Sequence, residues 1–89
     1  MIIKKHKFFD KSYLKLSEKL KIKVNDTLIL FSENYSDKKL NNHALKGDFL
    51  GLRSINVTGD YRIIFKDLSN NTYEIVELIK VGTHSELYK

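Results

Sequence analysis

Two histidines, two arginines and an aspartate are the residues of this chain whose types could do chemistry together: His43, His84, Arg53, Arg62 and Asp60. His43 sits in a polar, Asn-rich stretch and His84 just past the last predicted strand. Neither falls on an apolar stripe, so neither reads as a core histidine. Asp60 and Arg62 flank Tyr61 at the start of a predicted strand, and Arg53 lies on the strand before it. If these strands are neighbours, Arg53, Arg62, Asp60 and the two histidines could converge at one edge of a sheet. Such a set suffices for metal-free RNA cleavage. A 2′-hydroxyl must lose a proton, a 5′-oxygen must gain one, and crowded phosphate charge needs cations. Imidazole titrates near neutrality and can act as base or acid. Guanidinium stays charged and matches phosphate oxygens. Tyr61 or Tyr88 could stack on a splayed base. The same residues have two other uses. They could be polar groups satisfied within loops, or zinc ligands, although no pair has helical i, i+4 spacing and the chain has no cysteine. The remaining histidine, His6, lies among lysines and reads as a surface residue.

The elements that must position these groups can be read from periodicity. Three strands are predicted over 51–57, 60–66 and 73–81. Thr58-Gly59 reads as a tight turn with glycine supplying positive φ, and Ser69-Asn70-Asn71 as a second turn. Ile2 and Ile3 open a short strand ending near Lys5 and expected beside one of the later strands. Phe9, Tyr13, Leu16 and Leu20 make one apolar helical stripe, and Val24, Leu28, Phe31 and Tyr35 a second. Ser17 can cap the second helix, with Leu20 where an acid would complete a capping box. Ser36–Leu50 reads as a polar connection. Apolar residues on both faces of the later strands suit central positions covered on both sides. The order strand, helix, helix, three strands predicts an α+β fold, a small, mostly antiparallel sheet with a two-helix hairpin packed on one face. At 89 residues a single domain, 1–89, is expected.

Composition narrows the classes. Without cysteine, no disulfide and no thiolate chemistry is available. No apolar run approaches the roughly 20 residues of a membrane span, and the Lys-rich N-terminus lacks the apolar core of a secretory signal. Together these predict a cytoplasmic protein. The net charge of +5 is uneven. Residues 1–23 hold eight Lys against two acids, a net +6; the rest holds eight Lys and Arg against nine acids, a net −1. A basic N-terminal face, with Lys11, Lys15 and Lys19 turned from the apolar stripe, suits phosphate backbones or acidic partners. Plain solvation is the other reading.

Three runs carry a family resemblance: Asn42-His43-Ala44-Leu45-Lys46-Gly47, then Arg53-Ser54-Ile55-Asn56-Val57-Thr58-Gly59-Asp60-Tyr61-Arg62, then Gly82-Thr83-His84-Ser85-Glu86-Leu87-Tyr88. Together they resemble the YafQ branch of the RelE/ParE toxin superfamily. The resemblance runs from about His43 to the end; upstream, the strand, two basic helices and total length agree in outline. It implies a type II toxin–antitoxin toxin with a RelE-like β-α-α-β-β-β fold. It further implies a ribosome-dependent mRNA endoribonuclease that needs no metal or other cofactor and leaves a cyclic phosphate. The implied partners are a small acidic cognate antitoxin, the ribosome and mRNA, with operator DNA reached only through the antitoxin and no membrane.

By resemblance, His43, Asp60 and His84 match the family's catalytic positions, with His84 the strongest acid–base candidate. Tyr88 stands where known members have Phe, and its hydroxyl adds a proton donor. Tyr61 stands where some have Trp. Asn56 departs from the pattern, because YafQ itself has histidine there and an amide cannot shuttle protons. Arg53, Arg62 and Lys46 are the implied phosphate contacts, with Asn56 and Tyr61 beside them and Lys11 and Lys15 on ribosomal RNA. A ParE-like gyrase poison and a non-enzymatic ribosome or nucleic-acid binder are the alternatives. Paired histidines and this closing run argue against the former.

Overall fold

The computed structural model describes residues 1–88. In chain order its elements are β1 (Ile2–Lys5), α1 (Lys7–Leu14), α2 (Glu18–Glu33), β2 (His43–Ala44), β3 (Arg53–Asn56), β4 (Tyr61–Asp67), β5 (Ile75–Thr83) and α3 (His84–Leu87). Short 3-10 turns at Lys38–Leu40 and Gly47–Phe49 flank β2. The strands form one sheet in the order β1-β5-β4-β3-β2. β1 runs parallel to β5, and every other pair is antiparallel. This is the expected α+β architecture, with the N-terminal strand beside the last one.

Both apolar stripes do what their spacing predicts. Phe9 of α1 and Val24 and Phe31 of α2 are buried in one core with Ile55, Ile63, Phe65, Val76 and Leu78 of the sheet, and Tyr13, Leu16 and Leu28 pack around it. The break between the helices is real: the Ser17 hydroxyl accepts from Leu20 N–H at 3.2 Å. Across the break, Tyr13 Oη donates to Asn25 Oδ1. His6 is no bystander, because its Nδ1 accepts from Phe8 N–H and caps α1. The second helix stops at Glu33, short of Tyr35, whose ring instead stacks on Tyr73.

The imperfect alternation of the last strand has a geometric cause. Ile64 pairs with Lys80 but Phe65 with Leu78, so β5 carries an extra residue there. The bulge puts Leu78 and Val81, three residues apart, in the same core. The turn between β3 and β4 differs from expectation. It spans Val57–Asp60, and Gly59 is not in the left-handed region; among glycines only Gly47 and Gly51 are. Side chains hold this turn. The Thr58 hydroxyl accepts from the Asp60 and Tyr61 N–H groups, and Arg62 donates to the Thr58 and Gly59 carbonyls. The second turn is as predicted, with Asn70 and Asn71 at positive φ. No described helix is long and apolar enough to cross a membrane.

Candidate active site

Side chains alternate across a strand, so the sheet's two faces carry different residues. Ile55, Ile63 and Phe65 point to the helices. Ser54, Arg62 and Ile64 therefore point the other way, and a hollow of about 300 Å³ opens there. His43, Lys46, His84 and Tyr88 face it, over a floor of Ser54 and Arg62, with Leu45 and Phe49 as apolar walls.

His43 is placed by β2, where it pairs opposite Ser54. Asn41, two residues earlier, is left-handed (φ 45°), and its carbonyl lies 2.8 Å from His43 Nδ1. A carbonyl only accepts, so Nδ1 carries the proton. In the neutral ring Nε2 is then the free acceptor.

His84 is placed by a capping box. Thr83 is the N-cap of α3: its hydroxyl accepts from Glu86 N–H at 3.2 Å, and Glu86 Oε1 accepts from Thr83 N–H at 2.8 Å. His84 N–H donates to the Asp60 carbonyl, tying the helix start to the β3–β4 turn. One turn on, Tyr88 lies 4.7 Å from the His84 ring, centroid to centroid, and meets Phe49 edge-on at 5.3 Å. The backbone N–H of Thr83, then its hydroxyl, hold the Glu86 carboxyl below its ordinary range, with help from Lys80 and Lys15.

Arg62 spends three hydrogen bonds on carbonyls: Nη1 donates to Thr58 and Tyr61, and Nη2 to Gly59. These fix the guanidinium without neutralising it. Among the described residues the ion pair present is Lys21–Glu18, far along the chain on α2. Asn56 pairs opposite Arg62 and shares its face, and its Oδ1 is buried without a partner, as is Ser54 Oγ.

Several residues singled out in the sequence lie elsewhere. Arg53 sits one residue from Ser54 and so on the helix side, in a second hollow with Tyr35 and Tyr73. Tyr61 likewise faces the helices, beside Leu16 and Leu20. The expected convergence of both arginines at one edge therefore fails, because the β3–β4 register pairs Arg53 with core-facing Phe65 and Arg62 with Asn56, which puts the two guanidinium groups on opposite faces. Asp60 is next to His84 through its backbone, but its exposed side chain is not part of the lining. Lys11 and Lys15 border a separate surface with Lys80 and Phe8. Phe49, Leu45 and Ser54 are lining residues that sequence reasoning did not single out. The described residues contain no group of three His, Asp and Glu side chains able to hold a metal ion.

A small, mostly antiparallel five-stranded sheet packed against helices is the fold of the RelE/YoeB-like toxins. The family model described as "Bacterial toxin of type II toxin-antitoxin system, YafQ" matches residues 1–89, so the chain belongs to the YafQ family of type II toxin–antitoxin toxins. Among solved structures it is similar to YafQ from E. coli strain BL21(DE3), at 23% identity over 98% of this chain and 97% of that one, TM-score 0.76. It is also similar to YafQ in the E. coli DinJ-YafQ toxin-antitoxin complex, at 24% over 98% and 96%, TM-score 0.74. A metal-bound toxin from Helicobacter pylori is 26% identical over 99% of both chains, TM-score 0.69. No curated protein matches the chain.

Proposed function

We propose that this toxin is a ribosome-dependent mRNA endoribonuclease that works without a metal. The observation that carries the reading is the pair of imidazoles, His43 and His84, on one hollow above the unneutralised Arg62. In this mechanism His43 Nε2 takes the proton of a ribose 2′-hydroxyl. The 2′-oxygen attacks phosphorus, forming a bond to it as the bond to the 5′-oxygen breaks. His84, starting protonated, gives its proton to that leaving oxygen, so the products are a 2′,3′-cyclic phosphate and a 5′-hydroxyl. Arg62 and Lys46 offset the charge that gathers on the phosphate, and Tyr88 stacks on the adjoining base. Asp60 takes part through its backbone: its carbonyl accepts from His84 N–H and fixes the start of α3, while its exposed carboxylate stands on the rim of the turn. Like YafQ with DinJ, the toxin would be held inactive by a cognate antitoxin, small and acidic, through which operator DNA is reached.

The test is incubation with ribosomes and mRNA, with cut sites mapped by primer extension and the chemical nature of the new ends determined. The wild type should cut, and a folded His84→Ala variant should cut about 10²–10⁴-fold more slowly, the usual worth of a general acid. Full-rate cutting by that variant removes His84 from its role. Products that carry 3′-hydroxyl and 5′-phosphate ends, the outcome of attack by metal-activated water, overturn the metal-free mechanism, and no cutting at all returns the protein to the gyrase-poison or binder class.

A further inference from the structure

We propose that the second hollow, on the opposite face of the β2–β3 edge, binds single-stranded RNA next to the linkage that is cut. This rests on the nuclease reading of the first hollow. The site has about 370 Å³ of space, lined by Tyr35, Asp37, Lys38, Asn42, Arg53 and Tyr73 among others.

Its geometry is built rather than incidental. Asn42 organises it: Nδ2 donates to the Tyr35 carbonyl and to Tyr73 Oη, and Oδ1 accepts from Arg53 Nε at 2.9 Å. Arg53 is thereby oriented through Nε, and its two Nη groups are left to the hollow, with no carboxylate within ion-pair distance among the described residues. A half-buried, directed guanidinium of this kind matches a phosphate. Beside it, Tyr35 and Tyr73 are stacked, with ring centroids 3.9 Å apart and planes 3° from parallel. Tyr73 is 8% exposed and held at φ 57°, a left-handed conformation that an aromatic residue adopts only under constraint. The inner ring is thus fixed, while Tyr35 is 40% exposed and turns an aromatic face outward. An aromatic platform next to a cation is how single strands are held without regard to sequence. Asp37, whose Oδ1 already accepts from Lys39 N–H, leaves a carboxylate on the rim that can accept from a base amino group.

The two hollows belong to one path. His43 pairs with Ser54 and Ala44 with Arg53, so successive residues of the same strand pair floor one hollow and then the other. β2 is two residues long and is the outer strand of the sheet. A strand of RNA leaving the imidazoles can pass over this short edge and lay its next phosphate on Arg53 and its next base on Tyr35. The stacking platform and this continuity favour RNA over an acidic protein segment as the occupant.

The experiment is NMR titration of the full chain with a 2′-O-methylated pentanucleotide, which cannot be cut. Saturable shifts of the Arg53 Nε–H and Asn42 side-chain amide signals are expected together with those of the His43 and His84 rings. Tyr35→Ala should weaken binding about tenfold, and Arg53→Gln should reduce the logarithmic salt slope by about 0.7, one phosphate contact on a single strand. Ring shifts at His43 and His84 with Arg53 and Asn42 unmoved overturn the second hollow and leave the first intact. The second hollow is also overturned by movement of Arg53 and Asn42 by a poly-glutamate peptide but not by the oligonucleotide, or by no shift anywhere at millimolar RNA. The nuclease reading fails separately, if wild-type protein does not cut on ribosomes while these shifts persist.

Discussion

If the capping box of α3 is what holds His84 over the hollow, breaking it should loosen the tail and leave the sheet alone. Glu86→Ala removes the acceptor that takes Thr83 N–H at 2.8 Å. It leaves the Thr83 hydroxyl on Glu86 N–H, so half the box survives. Capping interactions of this kind contribute about 1 kcal/mol, and the exposed setting of Glu86 argues against more. A helix of four residues has little else: Leu87 is buried, Tyr88 N–H donates to the His84 carbonyl, and Tyr88 meets Phe49. A loss of about 1 kcal/mol multiplies the undocked population about fivefold.

Native-state amide exchange reads this directly. In Glu86→Ala the Tyr88 amide should exchange about fivefold faster, while the Ile63 and Phe65 amides in the sheet keep wild-type rates. Glu86→Gln keeps the cap acceptor and should stay close to wild type near neutral pH. The pH dependence has a fixed sign. The folded carboxyl of Glu86 is depressed below its ordinary value, so its contribution is complete above that value and fades as pH falls through the folded one. The tail should fray on acidification in the wild type and stay pH-independent in Glu86→Gln. Unchanged Tyr88 exchange in Glu86→Ala would refute the positioning role. Equal acceleration across the sheet would refute the claim that the role is local.

Three further outcomes follow from other parts of the structure. Phe65, fully buried and edge-on to Phe31 at 4.9 Å, should cost about 3–5 kcal/mol as Phe65→Ala in urea unfolding; a loss under about 1 kcal/mol would contradict the packing. Burial works to raise the Asp67 carboxyl, but the Ser69 hydroxyl and amide, with Tyr73 N–H, outweigh it and hold it low. Its stabilisation is therefore present above the ordinary value of 3.8 and lost as pH falls through the folded one, so Asp67→Asn should flatten the fall in urea midpoint between neutral and acid pH. Lys11, Lys15 and Lys80 gather around the exposed ring of Phe8, and reversing their charge should weaken ribosome binding and flatten its salt dependence; unchanged binding would confine that face to solvation.

The fold was largely legible because its core is written in helical stripes. Phe9 and Tyr13, then Val24, Leu28 and Phe31, keep one side of each helix apolar, and Ser17 marks the break between them. Two pieces were not read, and both carry the imidazoles. β2 is a pair of residues, too short for any alternation to show, and its pairing with β3 is a non-local fact. α3 is one turn, too short for a stripe, yet its Thr83-Ser-Glu86 spacing around His84 is a capping-box signature that sequence alone displays. The misplaced Arg53 and Tyr61 have a simpler cause. Arg53 and Ser54 are adjacent on a strand, as are Tyr61 and Arg62, and the period of two already forbids each pair from sharing a face.

That period also decides how the toxin can be built from so few residues. On the helix-facing side Ile55, Ile63 and Phe65 are committed to the core and only the β2–β3 edge stays open, so the opposite side is free to carry Arg62 and Ser54 without disturbing it. The chain then returns twice to that free side, once through β2 and once through α3, each time delivering a single imidazole. Each return is fixed by backbone groups rather than by bulk: the Asn41 carbonyl on His43, the Asp60 carbonyl and the Thr83–Glu86 box on His84. Small elements with little buried area undock easily. The structure thus puts both imidazoles on two of its shortest elements, and their local hydrogen bonds, more than the core, set whether the hollow is assembled.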